Sequence, residues 1–136
     1  MSTGPHVVAL PFEAPPLNLN DSGVTKRAAF AKAATIKRVR LTAAVLAEQA
    51  QLPKDVGHAV VELHYRPKDR RRRDTDNLVA TAKPIYDGLT DYGLVPDDVP
   101  QHMSKPEPVI HRPASGNVPR LWLQITTSDT PKELPA

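Results

Sequence analysis

Two pairs of aspartates in the segment 68–98 have the residue type and spacing of a divalent-cation site. Asp74 and Asp76 are separated by one residue, so in an extended segment both side chains leave the same side of the chain. Asp97 and Asp98 follow a predicted helix, whose return brings them beside the first pair. Clustered carboxylates repel one another unless a cation lies between them, and oxygen ligands suit Mg²⁺ or Mn²⁺. The pattern therefore predicts a magnesium site of the kind that hydrolyses phosphodiesters.

A basic run lies directly before the first pair of aspartates. It consists of Lys68, Arg70, Arg71, Arg72 and Arg73. Guanidinium groups grip phosphates with two hydrogen bonds, and clustered cations gain affinity for a duplex by releasing its counterions. These side chains are therefore predicted to bind DNA and to carry a phosphate to the metal.

Four further residues receive supporting roles. Asn77 is predicted to orient Asp76 or to cap the following helix, and it is grouped with the DNA-binding residues. Lys83 is placed to stabilise the charge that develops on the phosphate in the transition state. Asp97 is a supporting carboxylate that orients a metal-bound water, although a pair such as Asp97 and Asp98 more often forms a turn. Asp87 lies four residues after Lys83 and is interpreted as its surface ion-pair partner.

The elements that position these residues follow from hydrophobic periodicity. Strands are predicted at 7–10, 59–66, 101–111 and 121–127, and helices at 24–50 and 77–92. The order β-α-β-α-β-β predicts an α+β fold, with two helices packed on a small mixed β-sheet. The segment 101–111 is interrupted by prolines, so it is expected at a sheet edge.

The two predicted helices carry their own signals. One apolar stripe joins Ala29, Ala33, Ile36, Val39, Ala43, Leu46 and Ala50, and the candidate caps are Asn20, Asp21 and Ser22. Lys26 with Lys37, and Arg27 with Arg38, stack on shared faces; they either extend the DNA-binding surface or form a solvated face. In the second helix, Pro84 predicts either a kink or a restart, and Gly93 ends it.

Composition limits the class of protein. The chain has 136 residues, which fits one domain at 1–127 followed by a polar tail at 128–136. It contains no cysteine, which excludes a disulfide framework, thiolate zinc sites and cysteine nucleophiles. Neither a signal peptide nor a membrane-spanning apolar run is evident, so a cytoplasmic location without membrane partners is expected. The net charge of +3 is informative only through the arginine cluster.

The aspartates, arginines and lysine described above also belong to a longer sequence pattern. It reads R-R-R-R-D-T-D-N, then Lys83, D-G-L at 87–89, glycine at 93 and D-D at 97–98, with a weaker P-P-x-N match at 15–18. This pattern resembles the RusA family of Holliday junction resolvases, strongly over about residues 60–105. The resemblance implies a RusA-like fold and homodimers that bind four-way DNA junctions. These make paired symmetric nicks with Mg²⁺, or with Mn²⁺ as a substitute.

The family's functional residues map onto this sequence one by one. The three essential aspartates match Asp74, Asp76 and Asp98, and the essential lysine matches Lys83. The resemblance further implies a role in DNA recombination and repair, and an origin in a phage or prophage. One spacing departs from the family, because Lys83 follows Asp76 by seven residues rather than four. The shift is close to one helical turn, or about 5 Å, which keeps Lys83 on a similar face.

Other interpretations of the chain stand beside this one. The rivals are a nuclease that prefers flaps or other branched DNA, a non-catalytic nucleic-acid binding module and a metal-stabilised structural protein. An EF-hand is disfavoured because Val79 and Ile85 occupy its glycine and glutamate positions. The histidines His58, His64, His102 and His111 show no ligand spacing and are interpreted as surface or strand residues. Trp122 is assigned to the core or to a dimer interface.

Overall fold

The chain folds into a mixed β-sheet with two helices. A computed structural model describes residues 3–17, 25–70 and 75–136. The elements in chain order are β1 (Thr3–Leu10), α1 (Lys26–Gln49), β2 (His58–Tyr65), α2 (Thr75–Tyr92), β3 (Met103–Ser104), β4 (Val109–Ile110) and β5 (Leu121–Ser128). The predicted α+β class and the order of the main elements are confirmed.

The sheet is built around β2. On one side β2 pairs antiparallel with β5, and β5 pairs antiparallel with β1. On its other side β2 pairs in parallel with the two short strands β3 and β4. These two strands replace the single strand predicted at 101–111, because Pro106 and Pro108 between them have no amide hydrogen to donate. The predicted position of this segment at the sheet edge is confirmed.

One face of the sheet and both helices share a single hydrophobic core. Along β2, Ala59, Val61 and Leu63 have no exposed surface, while Glu62 between them is partly exposed. This alternation, predicted from the sequence, turns every second side chain toward the helices. Val39 of α1 and Ile85 of α2 complete the same cluster and are also fully buried.

The helices cross closely because one residue of α2 has no side chain. A Cβ atom built on Gly88 would lie 2.2 Å from the carbonyl oxygen of Arg40 and 2.8 Å from Cβ of Ala43. Beside the crossing, the Arg40 guanidinium donates two hydrogen bonds to the carboxylate of Asp91, at 2.5 and 2.7 Å. The crossing therefore occurs in the C-terminal half of α1.

The N-terminal half of α1 extends beyond the core. Thr25 caps the helix by accepting from the amide of Ala28 at 3.0 Å, whereas the predicted caps Asn20, Asp21 and Ser22 lie outside the described residues. The predicted apolar stripe is wrong over its first half, since Ala29 and Ala33 are exposed. Burial of α1 begins only at Val39, where the helix approaches the core.

Helix α2 starts earlier than its sequence pattern predicts. It begins at Thr75 and runs through Pro84 without interruption, so the predicted restart at Pro84 is wrong. The helix ends before Gly93, whose φ of +101° is the left-handed conformation that favours glycine at this position. The Thr81 hydroxyl, fully buried, donates to the carbonyl of Leu17 at 2.8 Å and holds the segment after β1 against α2.

The C-terminal segment of the chain begins where β5 ends. This strand extends to Ser128, one residue beyond its predicted end, and the amide of Lys132 donates to the carbonyl of Gln101 at 2.8 Å. Neither helix of the described part has the length and apolar character needed to cross a membrane.

Candidate functional site

Asp98 lies in the loop after α2, where its side chain is largely shielded. Only 18% of the side chain is exposed, and Oδ1 lies 2.5 Å from Nζ of Lys105. This contact is an ion pair: no hydrogen bond from the described residues reaches the buried Oδ1 with good geometry. The backbone amide of Asp98 donates to Oδ1 of Asp97 at 2.8 Å, and the predicted role of Asp97 as a supporting carboxylate stays a prediction. A buried carboxylate next to a single cation is the main electrostatic feature of this loop.

Tyr86 of α2 forms the floor beneath this ion pair. The ammonium of Lys105 lies 5.2 Å from the centre of the Tyr86 ring, within the range of a cation–π contact. Burial raises the pKa of the Tyr86 hydroxyl to about 12, and the negative charge of Asp98 contributes in the same direction. Lys105 is therefore held between an acidic side chain and an aromatic ring.

A cleft of about 380 Å³ opens beside Lys105, between α2 and the edge segment that contains β3 and β4. Its walls include Val79, Ala82, Lys83 and Tyr86 from α2, and Lys105 and Glu107 from the edge segment. Two lysines therefore face one cleft, and a phosphate is an anion that such a pair can bind.

Lys83 occupies the more open side of the cleft. Its Nζ lies 3.1 Å from Oδ1 of Asp87, as the spacing of four residues predicts, and 65% of its side chain is exposed. The side chain lines the cleft, as a phosphate-binding lysine requires. Its predicted role in the transition state stays a prediction.

The first aspartate pair falls at the edge of the described chain. Asp74, Arg71, Arg72 and Arg73 lie outside the described residues. The backbone of Asp76 and Asn77 lies in the first turn of α2. The extended conformation predicted for 74–76 is therefore wrong from Thr75 onward. Position 76 precedes Val79 by three residues and Lys83 by seven, so the backbone places it on the helix face that lines the cleft.

The donor set can be compared with the needs of a divalent cation. Among the described side chains, which do not include those of residues 71–77, no group of three or more acidic or histidine side chains could hold a metal ion. Asp98 supplies a shielded hard oxygen, and Lys105 shows that this position holds a positive charge. Both properties suit Mg²⁺, with Asp74 and Asp76 as the further predicted ligands.

The described part of the basic run lies at a second cavity. Lys68 pairs with Glu13 at 3.2 Å, and both side chains are well exposed. Arg70 lines a cavity of about 480 Å³ together with His111 and Arg112. Arg112, which the sequence pattern does not single out, therefore adds a second guanidinium beside Arg70.

Two of the histidines interpreted as surface or strand residues form one cluster on the sheet face opposite the helices. His64 and His111 share a hydrogen bond of 2.8 Å, and His64 Nε2 lies 2.7 Å from Oε1 of Glu62. His64 Nε2 is buried and no hydrogen bond of good geometry from the described residues reaches it, so Glu62 is a close neighbour of this nitrogen and not its hydrogen-bond partner. Desolvation and the charges of His64 and Arg66 lower the pKa of His111. Trp122 is partly buried and stacks on His64 with 5.3 Å between ring centres, outside the cluster of buried core residues, so the assignment to the core is wrong and the assignment to a dimer interface stays a prediction.

The spacing of residues along the sequence does not reveal this cluster, because its members come from three separate strands or strand ends. The register does contain the signal, since His64 lies directly opposite Trp122 in the β2–β5 pair. Comparison of the sequence with known proteins gives neither a matching family model nor a significantly similar curated protein.

Proposed function

We propose that the chain is a Mg²⁺-dependent endonuclease for branched DNA, of the kind represented by the RusA resolvases. The observation that carries the proposal is the shielded Asp98 carboxylate, paired with Lys105 at the side of a cleft that Lys83 also lines. The backbone of Asp76 lies in the first turn of α2, three residues before Val79 of the cleft wall, and this helical spacing supports a place for Asp76 in the same site.

In this proposal the chain supplies the ligands and the phosphate contacts. Asp74, Asp76 and Asp98 hold the metal, and a bound Mg²⁺ supplies water activation and stabilisation of the leaving oxygen. Lys83 and Arg70 bind phosphate oxygens of the strand to be cut. The scissile phosphate is thereby held against the carboxylates, and positioning of this kind lowers the barrier to hydrolysis.

The exposed half of α1 extends the surface available to DNA. Five cations lie on residues 26–38 without any acidic residue among them: Lys26, Arg27, Lys32, Lys37 and Arg38. Four of these side chains are exposed and Lys32 is partly exposed. A helix of this charge suits the phosphates of a duplex arm. Paired symmetric cutting of a four-way junction further requires two copies of the chain, one for each opposed strand.

The direct test uses a labelled four-way junction with and without Mg²⁺. The wild-type protein is expected to nick it only with the metal, and Asp98→Asn or Asp76→Asn to abolish nicking while keeping or tightening junction binding. Removal of a negative charge near the phosphates explains the retained binding. Asp55→Asn is the matched control, because Asp55 is exposed, does not line the cleft and has a positive φ that asparagine also adopts, and it should keep most of the activity. The proposed nuclease activity would be refuted if the wild-type protein showed no Mg²⁺-dependent nicking of junction, flap or duplex substrates.

A non-catalytic DNA-binding module is the second candidate. The ion pair of Asp98 with Lys105 and the hydrogen bond from the Asp98 amide to Asp97 give both carboxylates structural partners, which favours this alternative. A DNA-binding module predicts tight DNA binding without cleavage, whichever divalent metal is present. If the protein is a nuclease, faster cutting of flaps than of four-way junctions would indicate a flap-directed enzyme and not a resolvase.

A further inference from the structure

An apolar cavity lies on the sheet face opposite the helices, beside the rings of His64, His111 and Trp122. It has a volume of about 360 Å³ and is lined by Trp122, Arg66 and four apolar residues: Val7, Ala9, Val118 and Pro119. Val7 is 64% exposed, so the cavity is open to solvent. The lining therefore combines an aliphatic surface with one aromatic ring and one guanidinium group.

The ring of Trp122 is held in place by its neighbours. His64 stacks nearly parallel to it, with 5.3 Å between ring centres and an interplanar angle of 10°. The guanidinium of Arg66 lies 5.8 Å from the centre of the indole, within the range of a cation–π contact. Trp122 nevertheless remains partly exposed. An indole that is fixed and accessible is a platform on which a nucleobase can stack, because every base has a π-face.

The apolar cavity adjoins the basic cavity of about 480 Å³ described above. Arg66 lines the apolar cavity, and Pro67, the next residue in the chain, lines the basic one. His111 also lines the basic cavity, and its ring centre lies 4.9 Å from that of Trp122. A ligand that reaches from one cavity to the other therefore crosses only this pair of rings.

Guanidinium groups outnumber carboxylates among the described residues that line the two cavities. The basic side chains are Arg66, Arg70 and Arg112, and the carboxylate is Asp69. A second copy of the chain placed on this face by a twofold axis would bring two such basic sets to one interface, where like charges repel. Phosphate groups complement the basic set, since guanidinium groups donate paired hydrogen bonds to phosphate oxygens. The charges therefore favour a polyanion over a second copy.

We propose that the two cavities together bind single-stranded DNA, with a base stacked on Trp122 and the adjoining phosphate bound by Arg112. A single strand is required because a base inside a duplex is already paired and stacked on its neighbours. The inference goes beyond the proposed nuclease, since it needs neither a metal nor cleavage. On a branched substrate this face would hold an unpaired strand.

The first test follows the fluorescence of Trp122, the only tryptophan in the chain. An oligothymidylate of about 15 nucleotides, within the usual site size of single-strand binding domains, is added to the full chain at low salt with a chelator present. We expect the fluorescence to be quenched, because a base stacks on the indole. An abasic oligonucleotide of equal length keeps the phosphates and should leave the fluorescence unchanged.

Two variants separate stacking from charge, with affinity measured by the fluorescence anisotropy of a labelled oligothymidylate. Trp122→Leu should weaken binding about tenfold, a change of about 1.4 kcal/mol. Arg112→Gln should weaken binding and reduce the slope of log affinity against log salt by about 0.7, the value for one phosphate of a single strand. Lys132→Gln removes an exposed cation outside both cavities and should change neither quantity. Thermal melting of each variant verifies the fold.

Three results would overturn the proposed surface. One is unquenched fluorescence, or affinity of both Trp122→Leu and Arg112→Gln equal to wild type. Another is a dimer in sedimentation that Trp122→Leu dissociates, which would assign this face to a second copy of the chain. The third is markedly tighter binding of an oligouridylate of equal length, which would make RNA the ligand. Each result leaves the proposed nuclease standing, because neither Trp122 nor Arg112 is a proposed metal ligand.

Discussion

At the scale of single residues, Tyr86 connects the hydrophobic core to the charged cleft. Its hydroxyl has a pKa of about 12, first because of burial and second because of the charge of Asp98. The unfolded chain loses this proton near its ordinary pKa of 10.0, whereas the folded chain keeps it. The contribution of Tyr86 to stability is therefore complete below pH 10 and is lost as the pH rises toward 12.

Asp98→Asn should lower the pKa of Tyr86. The substitution removes the negative charge that opposes the phenolate and leaves Lys105 without its carboxylate partner, and both changes favour ionisation. Ultraviolet absorbance titration measures the pKa, and subtraction of the Tyr86→Phe titration isolates this residue from Tyr65 and Tyr92. An unchanged titration midpoint of Tyr86 in Asp98→Asn would show that the charge of Asp98 does not act on the Tyr86 hydroxyl. That result would contradict the packing of this loop.

The sequence predicts the contacts of single residues when the partners are close along the chain. The pair formed by Lys83 and Asp87 follows from helical spacing, because residues four apart lie on one face. The contact of Lys105 with Asp98 has no such signal, since it depends on how the loop after α2 meets the sheet edge. The same reason hides His111 next to His64, because a long-range register brings them together.

At the scale of elements, Gly88 sets the crossing of the two helices. Glycine inside a helix ordinarily costs roughly 0.5–1 kcal/mol relative to alanine. At this position a Cβ would lie 2.2 Å from a backbone oxygen of α1, which cannot rotate away as a side chain does. We therefore expect Gly88→Ala to lower the free energy of unfolding by about 1–3 kcal/mol, the usual range for overpacking.

Urea unfolding measures this change directly. Its sign distinguishes a close helix crossing from ordinary helix propensity, which predicts a gain for the same substitution. Ala34→Gly on the exposed part of α1 is the matched control, with an expected loss of up to about 1 kcal/mol from propensity alone. Stabilisation by Gly88→Ala would mean that the helices lie farther apart.

The exposed half of α1 predicts how DNA affinity depends on salt. Lys37→Glu with Arg38→Glu should weaken junction binding. The double substitution should also reduce the slope of log affinity against log salt by about 0.9 for each phosphate that is no longer neutralised. Lys132→Glu, in the exposed C-terminal segment, is the control and should have a small effect. If the double variant has the same junction affinity and the same salt dependence as wild type, this part of α1 is a solvated face that does not bind DNA.

Hydrophobic periodicity predicts the elements well where one face is buried. The alternation in β2 and β5 fixes both strands to within about one residue, because each inward side chain meets the core. The same reasoning fails for α1, whose apolar stripe continues past the point where the sheet and α2 can cover it. It also misses the start of α2 at Thr75, since polar first-turn residues resemble a loop.

At the scale of the whole molecule, the core and the candidate site are separate. The core joins both helices to one sheet face through buried apolar side chains, and Asp98, the proposed metal ligand whose side chain the structure describes, does not belong to it. Asp98 sits instead in the loop after α2, at the margin of that core, where Lys105 supplies the neighbouring positive charge. Folding of the sheet and helices is therefore expected not to depend on an ion.

Removal of divalent metal should leave the melting temperature within about 2 °C of the metal-bound value, because an ion present near its Kd stabilises by only about RT ln 2. Nicking of a four-way junction should disappear under the same conditions. Calorimetric melting of wild type and Asp98→Asn, each with and without a chelator, separates the two effects. A metal-stabilised structural protein predicts the reverse: a drop of several degrees in wild type alone, with no catalysis to lose.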